Sequence, residues 1–204
     1  MNYLLLILAS YLLGAVPFGL LLGKLKGIDV RTVGSKNIGA TNVLRTVGKP
    51  WGIATFILDA LKGFVPAFVF PILGTRWGAD FQSLEIAALA GGAAAILGHN
   101  FPVYLGFKGG KGVATSAGAL LGIAPLAVAV GLAVWAAFFF TLRYVSLASI
   151  AAALSVPAVG WWLYRGAGLV VPIALTVLAA LIILRHRANI ERLLNGTESR
   201  FQKK

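Results

Sequence analysis

The sequence predicts an all-α integral membrane protein with seven transmembrane helices, its N-terminus periplasmic and its C-terminus cytoplasmic, in one domain over residues 1–204. Three observations carry this. The chain is 59% hydrophobic, only 12% of its 204 residues are charged, and its mean hydropathy is +0.88. A globular chain carries about 25% charged residues. Seven apolar runs follow one another, and the basic residues between them fall almost entirely on alternate sides.

The runs lie near 3–23, 51–73, 81–98, 113–123, 125–141, 146–164 and 166–184. Most approach the ~20 residues a helix needs to cross a bilayer. The first lacks a basic leader and a small-residue cleavage site, so it reads as a retained helix. The fourth is short. Fused with the fifth it would be a helix of about 44 Å, too long for a hydrocarbon core of ~30 Å, and Pro125 marks a turn between them.

Charge decides the same point. Seven spans with the N-terminus outside leave only Arg76 and Arg165 on the outer side. Lys24, Lys26, Arg31, Lys36, Arg45, Lys49, Lys108, Lys111, Arg143, Arg185, Arg187, Arg192, Arg200, Lys203 and Lys204 all fall inside. Fusing the fourth and fifth runs makes the split nearly even, and the bias of basic residues toward the cytoplasm favours seven. The net charge of +12 thus speaks of topology and anionic lipid rather than nucleic acid, and no nucleic-acid module is present. Cysteine is absent, which excludes disulfides, thiolate metal sites and a cysteine nucleophile. No His and carboxylate cluster has metal-ligand spacing, so neither metal nor cofactor is expected.

Every polar segment of interest then faces the cytoplasm. The densest is Gly106-Phe107-Lys108-Gly109-Gly110-Lys111-Gly112, between apolar stretches. Glycine lets backbone N–H groups approach a ligand, lysine adds a point charge, and the helix expected from Val113 offers its anion-favouring N-terminus. Together they describe a phosphate cradle, though not a P-loop, because Gly112 follows Lys111 where Ser or Thr is required. A second segment, Gly34 to Arg45, holds Ser35, Thr41, Asn42 and Arg45, groups suited to phosphate oxygens. A third, Arg185 to Glu198, places His186 and Asn189 three apart on one helix face. His186 and Glu191 form an H-x-x-x-x-E spacing, but on a continuous helix these point apart. His99 reads as structural, and Asp59 with Lys62, three apart within a span, as an internal salt bridge. Arg143 and Ser146 occupy a short inner turn, with Ser146 a candidate helix N-cap.

The stretches G-S-K-N-I-G-A-T-N-V-L-R (34–45), G-H-N-F-P-V-Y-L-G-F-K-G-G-K-G-V-A-T (98–115) and R-H-R-A-N-I-E-R-L-L-N-G-T-E (185–198) resemble the three motifs of the bacterial acyl-phosphate-dependent glycerol-3-phosphate acyltransferases, the PlsY family. L-D-A-L-K-G (58–63) and R-Y-V-S-L-A-S (143–149) extend the resemblance nearly end to end. It implies an inner-membrane enzyme with its active site facing the cytoplasm, which moves a fatty acyl group from acyl phosphate to glycerol 3-phosphate and gives lysophosphatidic acid and phosphate. A monomer among membrane lipid is expected. The resemblance places Ser35, Arg45, Lys111, Ser146, His186 and Asn189 at the glycerol 3-phosphate and catalytic end. It places the glycine loop, Gly109, Gly110 and Gly112 with the adjoining Lys108, at the acyl phosphate with Thr41 and Asn42. One departure is Lys36, where the family often has glycine. An anion transporter and a lipid phosphatase are the rival classes; a transporter lacks an evident charged path through the spans.

Overall fold

A computed structural model describes residues 3–201; Lys203 and Lys204, counted above among the inner charges, lie outside the described residues. The described residues contain helices and no strand. The chain forms two compact units, one ending at Ile123 and the other starting at Ala124.

In the first unit, α1 (Tyr3–Ala15) and α2 (Phe18–Leu25) divide one apolar run. Pro17, with no N–H to donate, breaks it. α3 (Ala40–Thr46) is a short helix, and α4 (Lys49–Phe64) continues through a π-helical turn, Val65–Val69, into α5 (Phe70–Arg76). Pro66 lies in that turn and removes one helical hydrogen bond, a common cause of such a bulge. α6 (Leu84–Asn100) starts at Ser83, whose Oγ accepts from the amides of Glu85 and Ile86 at 3.2 and 3.4 Å. α7 spans Val113–Ile123.

Small residues pack these helices. A Cβ on Gly14 would strike the backbone of Ala95, and one on Gly98 the carbonyl of Tyr11, so α1 lies directly on α6. Gly63 and Gly118 do the same for α4 and α7, against Thr115 and Ala60. Without a hydrophobic force between helices in lipid, close backbone approach is what holds them.

The second unit comprises α8 (Pro125–Leu142), α9 (Val145–Tyr164), α10 (Val170–Arg185) and α11 (Arg187–Leu194). Pro125 is the first residue of α8, where its missing N–H costs nothing. Arg143 closes α8 in the left-handed conformation, φ +65°.

All seven apolar runs are therefore helical. Among the described residues, five helical stretches are long and apolar enough to cross a membrane, and six if the bent pair α10–α11 is one span. α7, with 11 residues, extends only about 17 Å. One expectation for the third motif changes. The helix is not continuous through His186 but bends there by 57°. Glu191 is exposed and His186 buried.

Candidate active site

The loop before α3 is shaped by one buried amide. The Asn42 side chain donates to the carbonyls of Val30 at 2.8 Å and Asn37 at 2.9 Å, and its Oδ1 accepts from the Ser35 N–H at 2.9 Å. Asn42 thus holds the loop from beneath and leaves Ser35 exposed at its surface. Thr41 and Arg45, four apart on α3, share the neighbouring face; Arg45 is exposed and Thr41 half-buried. Lys36 has φ +56°, a left-handed conformation in which a side chain is strained.

The glycine loop lies against the end of α6. The Gly110 N–H donates to the His99 carbonyl at 3.1 Å. A Cβ on Gly109 would meet that carbonyl, one on Gly110 would meet His99 Nε2, and one on Gly112 would stand 2.7 Å from Asn100 Oδ1. These glycines are required first by the protein's own packing, and the Gly110 N–H is already spent on the protein rather than offered to a ligand. Lys111 is half-buried, Lys108 exposed, and α7 begins at the next residue after Gly112, with the Ser116 N–H donating to the Gly112 carbonyl at 2.7 Å. The two segments meet within this unit: Leu105 packs on the buried cluster of Leu20, Val30, Ile38 and Val43 that underlies the first loop.

Below the loop lies the expected ion pair. Lys62 Nζ is 2.8 Å from Asp59 Oδ1, both side chains buried. Lys62 also donates to the Val16 carbonyl at 2.7 Å, at the helix break made by Pro17. His99 joins them, its Nδ1 3.7 Å from Asp59 Oδ1.

In the second unit the organising group is one the sequence reading left without a role. Glu198 Oε1 accepts from Ser146 Oγ and Asn189 Nδ2, each at 2.7 Å, and Oε2 accepts from Arg192 Nε at 2.7 Å. Burial pushes the Glu198 carboxyl up, but the three donors outweigh it and hold the group below the ordinary glutamate range. Ser146 is thus no N-cap; Tyr144 precedes α9, and the Ser146 hydroxyl is turned to the carboxylate. The tail that carries Glu198 is strapped over the α8–α9 turn. The Phe201 N–H donates to the Arg143 carbonyl at 2.9 Å, Arg200 Nε to the Leu142 carbonyl at 3.1 Å, and the Arg200 guanidinium covers the Tyr144 ring.

Because the carboxylate only accepts, the Asn189 amide nitrogen must face it. Asn189 Oδ1 is buried and has no protein partner among the described residues, an acceptor suited to a hydroxyl. His186 Nδ1 lies 2.8 Å from the Ile182 carbonyl, so a neutral ring carries its proton on Nδ1 and its lone pair on Nε2. His186 and Asn189 are 2% and 5% exposed; these are buried side chains, unlike those of a solvated stop after a last span.

The family profile described as glycerol-3-phosphate acyltransferase matches residues 4–196. The chain belongs to the glycerol-3-phosphate acyltransferase family. Within that family, it is 49% identical to the enzyme of Desulfotalea psychrophila, covering 97% of each chain, and 46% identical to that of Aquifex aeolicus, covering 98% of this chain and 100% of the relative. It also matches the crystal structure of PlsY, an integral membrane glycerol 3-phosphate acyltransferase, in its glycerol 3-phosphate form. The TM-score is 0.87 at 45% identity, over 98% of this chain and 96% of the other. The lysophosphatidic acid form of PlsY matches with a TM-score of 0.85.

Proposed function

We propose that this acyltransferase takes its acyl group from acyl phosphate and passes it to the 1-hydroxyl of glycerol 3-phosphate at the cytoplasmic face of the bacterial inner membrane, as a single-domain monomer, the first step of phospholipid synthesis. The hydroxyl oxygen attacks the acyl carbon, the bond from that carbon to the phosphate oxygen breaks, and lysophosphatidic acid and inorganic phosphate are released. Acyl phosphate is already activated, so the protein's task is to bring two anions together. Positioning lowers a barrier by about 7–11 kcal/mol, and preorganised donors stabilise the developing oxyanion.

Lys111 and Arg45 neutralise phosphate charge, with Lys108 at the loop's edge. Ser35, held out by Asn42, donates to a phosphate or to the oxyanion. The glycine loop and the N-terminus of α7 receive the acyl phosphate head beside Thr41. In the second unit Asn189 Oδ1 accepts from a glycerol hydroxyl, His186 orients the same substrate, and Ser146 is fixed by Glu198 beside them in the hydrogen-bond network. The proton of the attacking hydroxyl goes to a substrate phosphate oxygen. His186 Nδ1 is fixed by the neutral Ile182 carbonyl, which favours orientation over base catalysis. Seven spans serve this chemistry by collecting the basic loops on one side, with α7 crossing as a short span.

The observation that carries the acceptor side is the buried Asn189 Oδ1, aligned by Glu198. The basic glycine loop carries the donor side. The test is turnover of the purified protein with glycerol 3-phosphate and acyl phosphate, acyl-CoA or acyl carrier protein as separate donors. Acyl phosphate alone should support lysophosphatidic acid formation; equal or better turnover with a thioester would overturn the donor assignment.

A further inference from the structure

The buried ionic cluster of α4 has no part in the reaction just described, yet it touches the glycine loop. Asp59, Lys62 and His99 are 2%, 2% and 4% exposed. Two charges taken out of water need a reason. A buried ion pair is often no more stabilising than well-packed apolar residues of the same volume, and ionisable groups within a span commonly serve function. The reason lies in what the pair faces. Lys62 holds Asp59 at 2.8 Å and is itself anchored on the Val16 carbonyl at 2.7 Å. The same Asp59 oxygen faces His99 Nδ1 at 3.7 Å. The opposite side of that ring is the wall of the loop, since a Cβ on Gly110 would overlap Nε2, and the His99 carbonyl accepts the Gly110 N–H. Lys111 is the next residue.

We propose that Asp59, held by Lys62, is a positioning residue that acts through His99 to set the glycine loop and Lys111 for phosphate binding. The inference rests on the reading that this loop holds a substrate phosphate. The chain of contacts runs from a broken helix in the span, through two charges and an imidazole, to the loop backbone. Each member is packed, so a displacement of the ring is passed to Gly110. A misplacement of about 1 Å can cost about 100-fold in rate.

The paired variant Asp59→Asn with Lys62→Met removes both charges together and leaves no lone buried charge. The Michaelis constants for both substrates are measured, beside those of Gly110→Ala, with thermal unfolding in detergent as the check on folding. The expected result is a rise of about tenfold or more in the KM for one substrate, the same one that Gly110→Ala affects, with the other KM unchanged. A merely structural pair would lower the active fraction and move neither constant; that result overturns the inference. Should the paired variant not fold, His99→Gln leaves the ion pair in place and carries the same expectation: the same selective rise supports the inference, and unchanged constants overturn it. The two readings separate in this experiment. If the glycine loop holds glycerol 3-phosphate instead of the donor, Gly110→Ala and the paired variant raise the glycerol 3-phosphate KM together. The donor assignment of the loop then falls while the positioning role stands.

Discussion

Replacing Glu198 by alanine removes the acceptor of three hydrogen bonds at once. Ser146 and Asn189 are each 5% exposed, so both donors are left in a dry site. An unmade buried donor costs about 1–3 kcal/mol, which puts the pair at about 2–6 kcal/mol. Arg192 adds little, because its side chain is 42% exposed and such pairs contribute about 0–1 kcal/mol. With about 1.4 kcal/mol for each factor of ten, kcat/KM for glycerol 3-phosphate should fall about 30-fold or more. Amide exchange should quicken over residues 143–149 and 189–201, where the strap lies. Glu198→Gln keeps one acceptor oxygen but turns an amide against Arg192, and should lose less. The same carboxylate carries a pH signature. Its value is depressed in the folded protein, so its contribution to stability is complete above the ordinary glutamate value of about 4.3 and is lost as pH falls through the lower folded value. Thermal unfolding in detergent should therefore lose stability more steeply below about pH 4.3 in the wild type than in Glu198→Gln. Unchanged kcat/KM and unchanged exchange in Glu198→Ala would refute the view that this residue organises the polar cluster of the second unit.

Lys36→Gly should leave activity within about twofold and change stability by about 0–1.5 kcal/mol in the favourable direction: relief of left-handed strain gives about 1–2, and glycine's backbone entropy takes back about 0.5–1. Thermal unfolding measures it, and a clear loss of stability would contradict the strain argument. His186→Asn should keep measurable turnover with a raised KM for glycerol 3-phosphate. The acidic limb of the pH–rate profile should persist, because a substrate phosphate with a second pKa of about 6 provides it. A collapse in kcat with loss of that limb would make His186 the base. Single cysteines at Ser35, Lys111 and Arg187, the exposed neighbour of the buried His186, should label from the cytoplasmic side and one at Arg76 from outside; labelling of any of the first three from outside would refute the seven-span topology.

The apolar helices were legible because apolar length is a local property of the chain, and each of the seven runs is helical. The irregularities within them were less so. Pro17 and Pro66 mark the helix break and the π-turn, but the sequence does not say that the carbonyl of Val16 would meet Lys62 46 positions away. The bend at His186 has no proline or glycine to announce it. The resemblance places Asn42 at the acyl phosphate, whereas its amide is engaged by carbonyls up to 12 positions upstream, a pattern with no period to detect. Glu198 was visible as a letter in the third motif. Its bond to Ser146 spans 52 positions, and nothing in the spacing of either residue points to the other. The glycine loop was legible as a site but for one of its two reasons, since the neighbours that exclude a Cβ, His99 and Asn100, lie up to 12 residues earlier.

The central claim is a coupled transfer from acyl phosphate to glycerol 3-phosphate, and the stoichiometry of phosphate release tests it most directly. Purified protein given acyl phosphate should release one phosphate for each lysophosphatidic acid formed and release none above background until glycerol 3-phosphate is added. Phosphate release with water alone, or release that does not match lysophosphatidic acid formed, would contradict the account.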